Sequence, residues 1–131
     1  MLTDVQALVS ATLLTFVMVM SASLMKSKAW TPSGLALAFG NRDNLPEPSP
    51  VASRADRAAK NMLEGMVFFV ALACAARFAN RPQEAALGAT VFVYARVVYW
   101  FVYLAGVPYL RTAVWFASVA GLVMMGRAAL G

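Results

Sequence analysis

Four apolar runs, separated by one long and two short interruptions, divide the chain. The first covers about 5–26 and ends at Lys26 and Lys28; the others cover about 53–78, 83–105 and 108–129. Each is close to or longer than the ~20 residues an α-helix needs to cross a hydrocarbon core of ~30 Å. Ala79-Asn-Arg-Pro-Gln83 and Gly106-Val-Pro-Tyr109 read as tight turns. Connections this short make the last three helices antiparallel neighbours. The pattern predicts an all-α membrane protein: one domain over 1–131, built as an antiparallel bundle of four transmembrane helices with both termini on the same side.

The first run could also be read as a signal peptide. Asp4 precedes it with no Lys or Arg, and the run exceeds a usual hydrophobic region, so a spanning helix is expected. Its hydroxyls, Ser10, Thr12, Thr15, Ser21 and Ser23, can bond back to the helix backbone. A loop is expected over 27–52. Trp30 suits an interfacial anchor, and Phe39-Gly-Asn-Arg-Asp-Asn-Leu-Pro-Glu-Pro-Ser-Pro50 reads as turn and extended chain. Ser53 with Asp56 three residues on suggests the N-cap of the second long helix, and Pro108 suits the first position of the last.

Two polar stripes interrupt this apolar pattern. Arg54, Arg57, Asn61 and Glu64 recur at i, i+3, i+7 and i+10, so they share a helix face that continues into the apolar part of the second long run. Arg96, Tyr99 and Tyr103 recur at i, i+3 and i+7 on the next. Arg96 lies roughly 13 Å and Glu64 roughly 16 Å from the same membrane face at 1.5 Å per residue. An ionised group at that depth needs a partner or a water-filled cavity. The two depths match in antiparallel helices, so a Glu64–Arg96 pair is expected, made directly or through a ligand. Arg111 and Thr112 begin the last helix at the same end. For Tyr103 and Tyr109, membership of an interfacial aromatic belt is the simpler reading.

Composition narrows the chemistry. The chain is 61% hydrophobic and 13% charged, well to the membrane side of ordinary globular proteins. Its net charge of +5 is set among apolar and aromatic runs, which fits the positive-inside bias and excludes a nucleic-acid surface. That bias places the 27–52 loop and the 106–109 turn in the cytoplasm and the termini outside. The single cysteine, Cys74, forbids an intrachain disulfide and reads as a packing or lipid-facing residue. There is no histidine, so no metal site is expected. The basic majority around Glu64 favours an anion carrying an amine. A ligand with two carboxylates and one ammonium, such as glutathione, matches two arginine forks and one acid.

The motif Arg57-Ala-Ala-Lys60-Asn61-Met-Leu-Glu64, the helix carrying Arg96, Tyr99 and Tyr103, and the following Arg111 resemble the MAPEG superfamily, the membrane-associated proteins of eicosanoid and glutathione metabolism. The likeness covers most of the chain and suggests a short bacterial-type member of the inner membrane. It implies a homotrimer with glutathione bound between subunits near the cytoplasmic side. By that likeness Arg57, Lys60, Asn61, Glu64, Arg96, Tyr99 and Tyr103 form the glutathione site, and Arg111 with Thr112 stabilises the thiolate. Lys60 stands where eicosanoid enzymes carry Arg, Tyr99 where some members have His and Thr112 where some have Ser, which argues against an eicosanoid substrate.

Two functions follow. One is a glutathione-dependent transferase or peroxidase acting on a hydrophobic electrophile or hydroperoxide that arrives from the bilayer. The other is a non-catalytic membrane subunit whose polar cluster glues helices, or binds a lipid headgroup or partner complex. A channel is disfavoured, because the polar positions stop near mid-membrane. Ala71, Ala75 and Ala79, at i, i+4 and i+8, would permit close helix contact within an assembly.

Overall fold

A computed structural model describes residues 1–131 as five helices and no strands: α1 (Asp4–Ser27), α2 (Pro32–Phe39), α3 (Pro50–Phe78), α4 (Pro82–Ala105) and α5 (Pro108–Leu130). Four of them, α1, α3, α4 and α5, are long and apolar enough to cross a membrane. They form an antiparallel bundle in which α4 packs on α5, α3 and α1, while α1 and α5 do not approach each other.

The interior is made of small side chains. Ala7, Ala11 and Ala22 on α1 and Ala55, Ala58 and Ala59 on α3 are buried, whereas Val67, Phe68, Phe101 and Phe116 point outward. Lipid tails are as apolar as Leu, so nothing drives large side chains inward; close backbone approach supplies the cohesion instead. Buried positions repeat at seven residues: Ala55, Met62, Phe69 and Ala76 on α3, and Ala85, Phe92 and Tyr99 beside Ala89, Arg96 and Tyr103 on α4. That period gives the shallow crossing of coiled-coil-like packing. The tightest crossing joins α4 to α5. A Cβ built on Gly88 would lie 2.6 Å from the Gly121 carbonyl oxygen, and one on Gly121 2.7 Å from that of Gly88.

Two expectations about local structure need correction. The 27–52 segment is not all loop, because Thr31 caps α2 through its hydroxyl and Pro32 supplies the first helical position. The third helix starts earlier than Ser53: Ser49 is its N-cap, accepting from the Ala52 amide, with Pro50 next. Asp56 is therefore no capping residue. It accepts from Lys26 at 3.1 Å and Lys60 at 2.9 Å, tying α1 to α3. Three of the five hydroxyls expected to bond backward in α1 do so: Thr12 to the Leu8 carbonyl, Thr15 to Ala11 and Ser21 to Met18. Ser23 instead accepts from Arg42, at 2.7 Å, which pins the loop to α1.

The two ends of the bundle differ in charge. The loop end carries Lys26, Lys28, Arg42, Arg54, Arg57, Lys60, Arg96 and Arg111, eight of the eleven cations. The other end holds Arg77, Arg81 and Arg127, with Arg77 bound to Asp4 at 2.6 Å and Arg81 to Glu84 at 3.2 Å. Arg54 donates to the Leu104 carbonyl at 3.1 Å and so satisfies the C-terminal turn of α4.

Gly121→Ala forces α4 and α5 apart and is expected to cost about 1–3 kcal/mol by overpacking. Thermal unfolding in detergent measures it. Gly126→Ala is the control, since its added Cβ would meet only Leu72 at an ordinary 3.6 Å.

Candidate functional site

At the loop end, α3, α4 and α5 enclose a recess of about 270 Å³ lined by Asn61, Tyr99, Tyr103, Arg111, Thr112 and Trp115. Helical spacing explains the grouping. Tyr99 and Tyr103 are one turn apart on α4, and Arg111, Thr112 and Trp115 occupy the first turns of α5, where it leaves the Gly106 turn. Gly106 takes φ 78°, the left-handed conformation that reverses the chain there.

Tyr103 lies between two guanidinium groups. Arg57 Nε donates to its hydroxyl oxygen at 3.2 Å, and Arg111 Cζ stands 4.8 Å from its ring centroid. Its oxygen accepts from Arg57, so its own proton is free to donate. Tyr99 meets Tyr103 edge to face at 5.4 Å. Tyr103 is thus buried and lines the recess, whereas Tyr109 is 90% exposed.

Beneath the recess sits Arg96, only 2% exposed. Its Nη1 donates to Asn61 Oδ1 at 2.5 Å, and its guanidinium carbon lies 5.2 Å from the Phe92 ring and 5.3 Å from the Tyr99 ring. Nε has no hydrogen-bond partner. The direct Glu64–Arg96 ion pair does not form: Glu64 is exposed on the outer side of α3 and makes no salt bridge within the subunit. Arg96 is consequently a buried cation whose only hydrogen-bond partner is a neutral amide.

The nine residues singled out in the sequence therefore separate into two sets. Asn61, Tyr99, Tyr103, Arg111 and Thr112 share the recess, with Arg96 directly behind it and Arg57 holding Tyr103. Lys60 and Glu64 face outward, and Lys60 is engaged by Asp56. Trp115 was missed, although its place one turn after Arg111 and Thr112 was visible in the spacing. No carboxylate lines the recess; Arg111 lines it, and the guanidiniums of Arg96 and Arg57 lie behind Asn61 and Tyr103. A unit negative charge about 4 Å from one of them gains on the order of 4 kcal/mol at an effective dielectric constant of about 20. The arrangement can hold an anion and stabilise a deprotonated nucleophile. It contains no group of His, Cys, Asp and Glu suited to a metal ion.

A model of the MAPEG family matches residues 5–131. No curated protein and no solved structure matches the chain.

Replacing the charge at position 96 separates stability from site chemistry. Arg96→Met fills a similar volume without a buried ion, and is expected to leave stability unchanged or raise it by up to about 4 kcal/mol. The readout is the unfolding temperature in detergent. A fall of several degrees would mean that the guanidinium holds the bundle together.

Proposed function

Because the chain belongs to the MAPEG family and is an integral membrane protein of four spans, we propose that it binds glutathione at the recess and activates it as a thiolate. The observation that carries this reading is the recess itself, in which Arg111, Thr112 and Tyr103 meet over a buried Arg96 with no acid among the lining residues. A thiol has an ordinary pKa of about 8.5, and an adjacent guanidinium lowers it by favouring the anion. Arg111 supplies that charge, and the free Tyr103 proton is a donor beside it; the Thr112 hydroxyl donates to the Pro108 carbonyl at 3.2 Å and would have to turn from it to reach the sulfur. Asn61 and the guanidiniums receive the ligand's carboxylates and carbonyls.

The thiolate sulfur then forms a bond to an electrophilic carbon, whose leaving group or π-electron pair takes up the displaced charge. With a hydroperoxide, two glutathione thiols supply two electrons, yielding an alcohol, water and the disulfide. The acceptor is hydrophobic and reaches the recess sideways from the bilayer, past Trp115. Arg57, Lys60 and Glu64 lie on the outer face of α3 above exposed Ala71, Ala75 and Ala79. In a homotrimer assembled through that face, Glu64 would hold the ligand's ammonium from the subunit boundary. The loop end, with eight of the eleven cations, faces the cytoplasm of a bacterial inner membrane.

The Lys26–Asp56–Lys60 network favours a second reading. It uses a cation of the motif as helix glue, as a non-catalytic subunit would.

Calorimetry of glutathione binding to the detergent-purified protein, with thiolate absorbance followed in parallel, decides between them. The expected result is saturable binding with a thiolate signal. Arg111→Ala removes the signal, and Glu64→Ala weakens affinity by about tenfold or more. A well-folded wild type that binds no glutathione would transfer the function to the non-catalytic reading.

A further inference from the structure

Gly65 is buried in the middle of a spanning helix, where glycine costs about 0.5–1 kcal/mol relative to alanine. Its φ is not in the left-handed region, so no backbone requirement accounts for it. Space does. A Cβ built there would lie 2.7 Å from Arg96 Nη2, 3.2 Å from Cζ and 3.5 Å from Phe92 Cζ. The Arg96 fork therefore rests against bare backbone at Gly65. Its other arm, Nη1, reaches back one helical turn to Asn61 Oδ1.

That contact fixes the orientation of Asn61. A guanidinium has five donors and no acceptor, so only the amide oxygen can face it. The amide nitrogen, with two N–H groups, is left for the recess that Asn61 lines. We propose that Gly65 and Arg96 are positioning residues that set Asn61 as a fixed double donor, so that the occupant of the recess places a carboxylate or carbonyl oxygen at Asn61. This deepens the anion-site reading given above and rests on it for its ligand.

The chain of contacts makes three separable demands. Gly65→Ala displaces the fork and releases Asn61. Arg96→Lys retains one donor for Asn61 but has no second arm over Gly65, so the added methyl fits. Asn61→Asp satisfies Arg96 with a carboxylate, yet turns an acceptor toward an anionic occupant.

Glutathione affinity by calorimetry and unfolding temperature in detergent are measured for wild type, Gly65→Ala, Arg96→Lys, the double variant and Asn61→Asp. Gly65→Ala is expected to weaken glutathione binding by about tenfold in the wild-type background and less than about twofold in the Arg96→Lys background. Asn61→Asp is expected to unfold no lower than wild type while binding at least about tenfold more weakly. Equal losses from Gly65→Ala in both backgrounds, or undiminished binding by Asn61→Asp, overturn the proposal. If wild type binds no glutathione, the functional reading fails, and the melting temperatures still decide the positioning. Gly65→Ala must lower the unfolding temperature in the wild-type background and spare it in the Arg96→Lys background; additive shifts overturn it.

Discussion

A positive charge at 2% exposure inside an apolar bundle is the constraint on which the loop end of this protein depends. Removing an ion from water costs several kcal/mol even after relaxation, and no carboxylate of the subunit makes a salt bridge with Arg96. What it offers is dispersed: an amide oxygen on α3, two aromatic faces on α4 and a glycine that makes room. Each contributes on the order of 1–2 kcal/mol, and each dictates the identity of a neighbour. Phe92 stacks on Phe69 with centroids 4.6 Å apart, so the support reaches across to α3. An arrangement this costly in stability, and this specific in its supports, is the signature of a group kept for its charge.

The same packing that burdens Arg96 makes it usable. Ala89, Arg96 and Tyr103 form a single heptad row on α4, so the cation takes a core position and the tyrosine above it faces the same way. The small-residue interior lets α3, α4 and α5 draw close enough for Asn61, Tyr103 and Arg111 to meet from three helices. Bulky side chains turned outward leave the outer surface of the bundle apolar. Architecture and site chemistry are in this respect one solution: a bundle held by alanine contacts can host arginines that a bundle held by leucine packing would crowd out.

Much of this was legible in the sequence. Four spans, their antiparallel order and most of the recess follow from apolar run lengths and from stripes three and four residues apart. The failures have geometric causes. At 100° per residue, Asn61 and Gly65 lie roughly 20° to either side of Arg54, while Glu64 has turned roughly 80° from Arg54 and 100° from Gly65, with Arg57 between. A stripe read as one face therefore mixes two, and the direct Glu64–Arg96 pair was drawn across the gap between them. Gly65 was passed over because a glycine gives no chemical signal; its meaning exists only in the presence of the arginine from another helix. The start of α3 at Pro50 was hidden by prolines taken as breakers, and α2 by the loop expected over 27–52, although Ser49-Pro50 and Thr31-Pro32 both have a capping hydroxyl followed by proline at the first helical position.

The cations at the loop end have two distinct origins, and the difference bears on function. Lys26, Lys28 and Arg42 sit at the end of α1 or in the loop beyond it, where topology accounts for basic residues, and Lys26 and Arg42 also make local contacts to Asp56 and Ser23. Arg96 and Arg111 are not explained that way. Arg96 is sealed from water, and Arg111 folds over the Tyr103 ring and lines the recess. Orientation in the membrane would be served as well by charges left in solvent. Two guanidiniums drawn inward around one recess, with the only acid of the motif turned outward, build a field that an apolar bundle has no structural use for. A negative group entering the recess would turn that cost into binding energy.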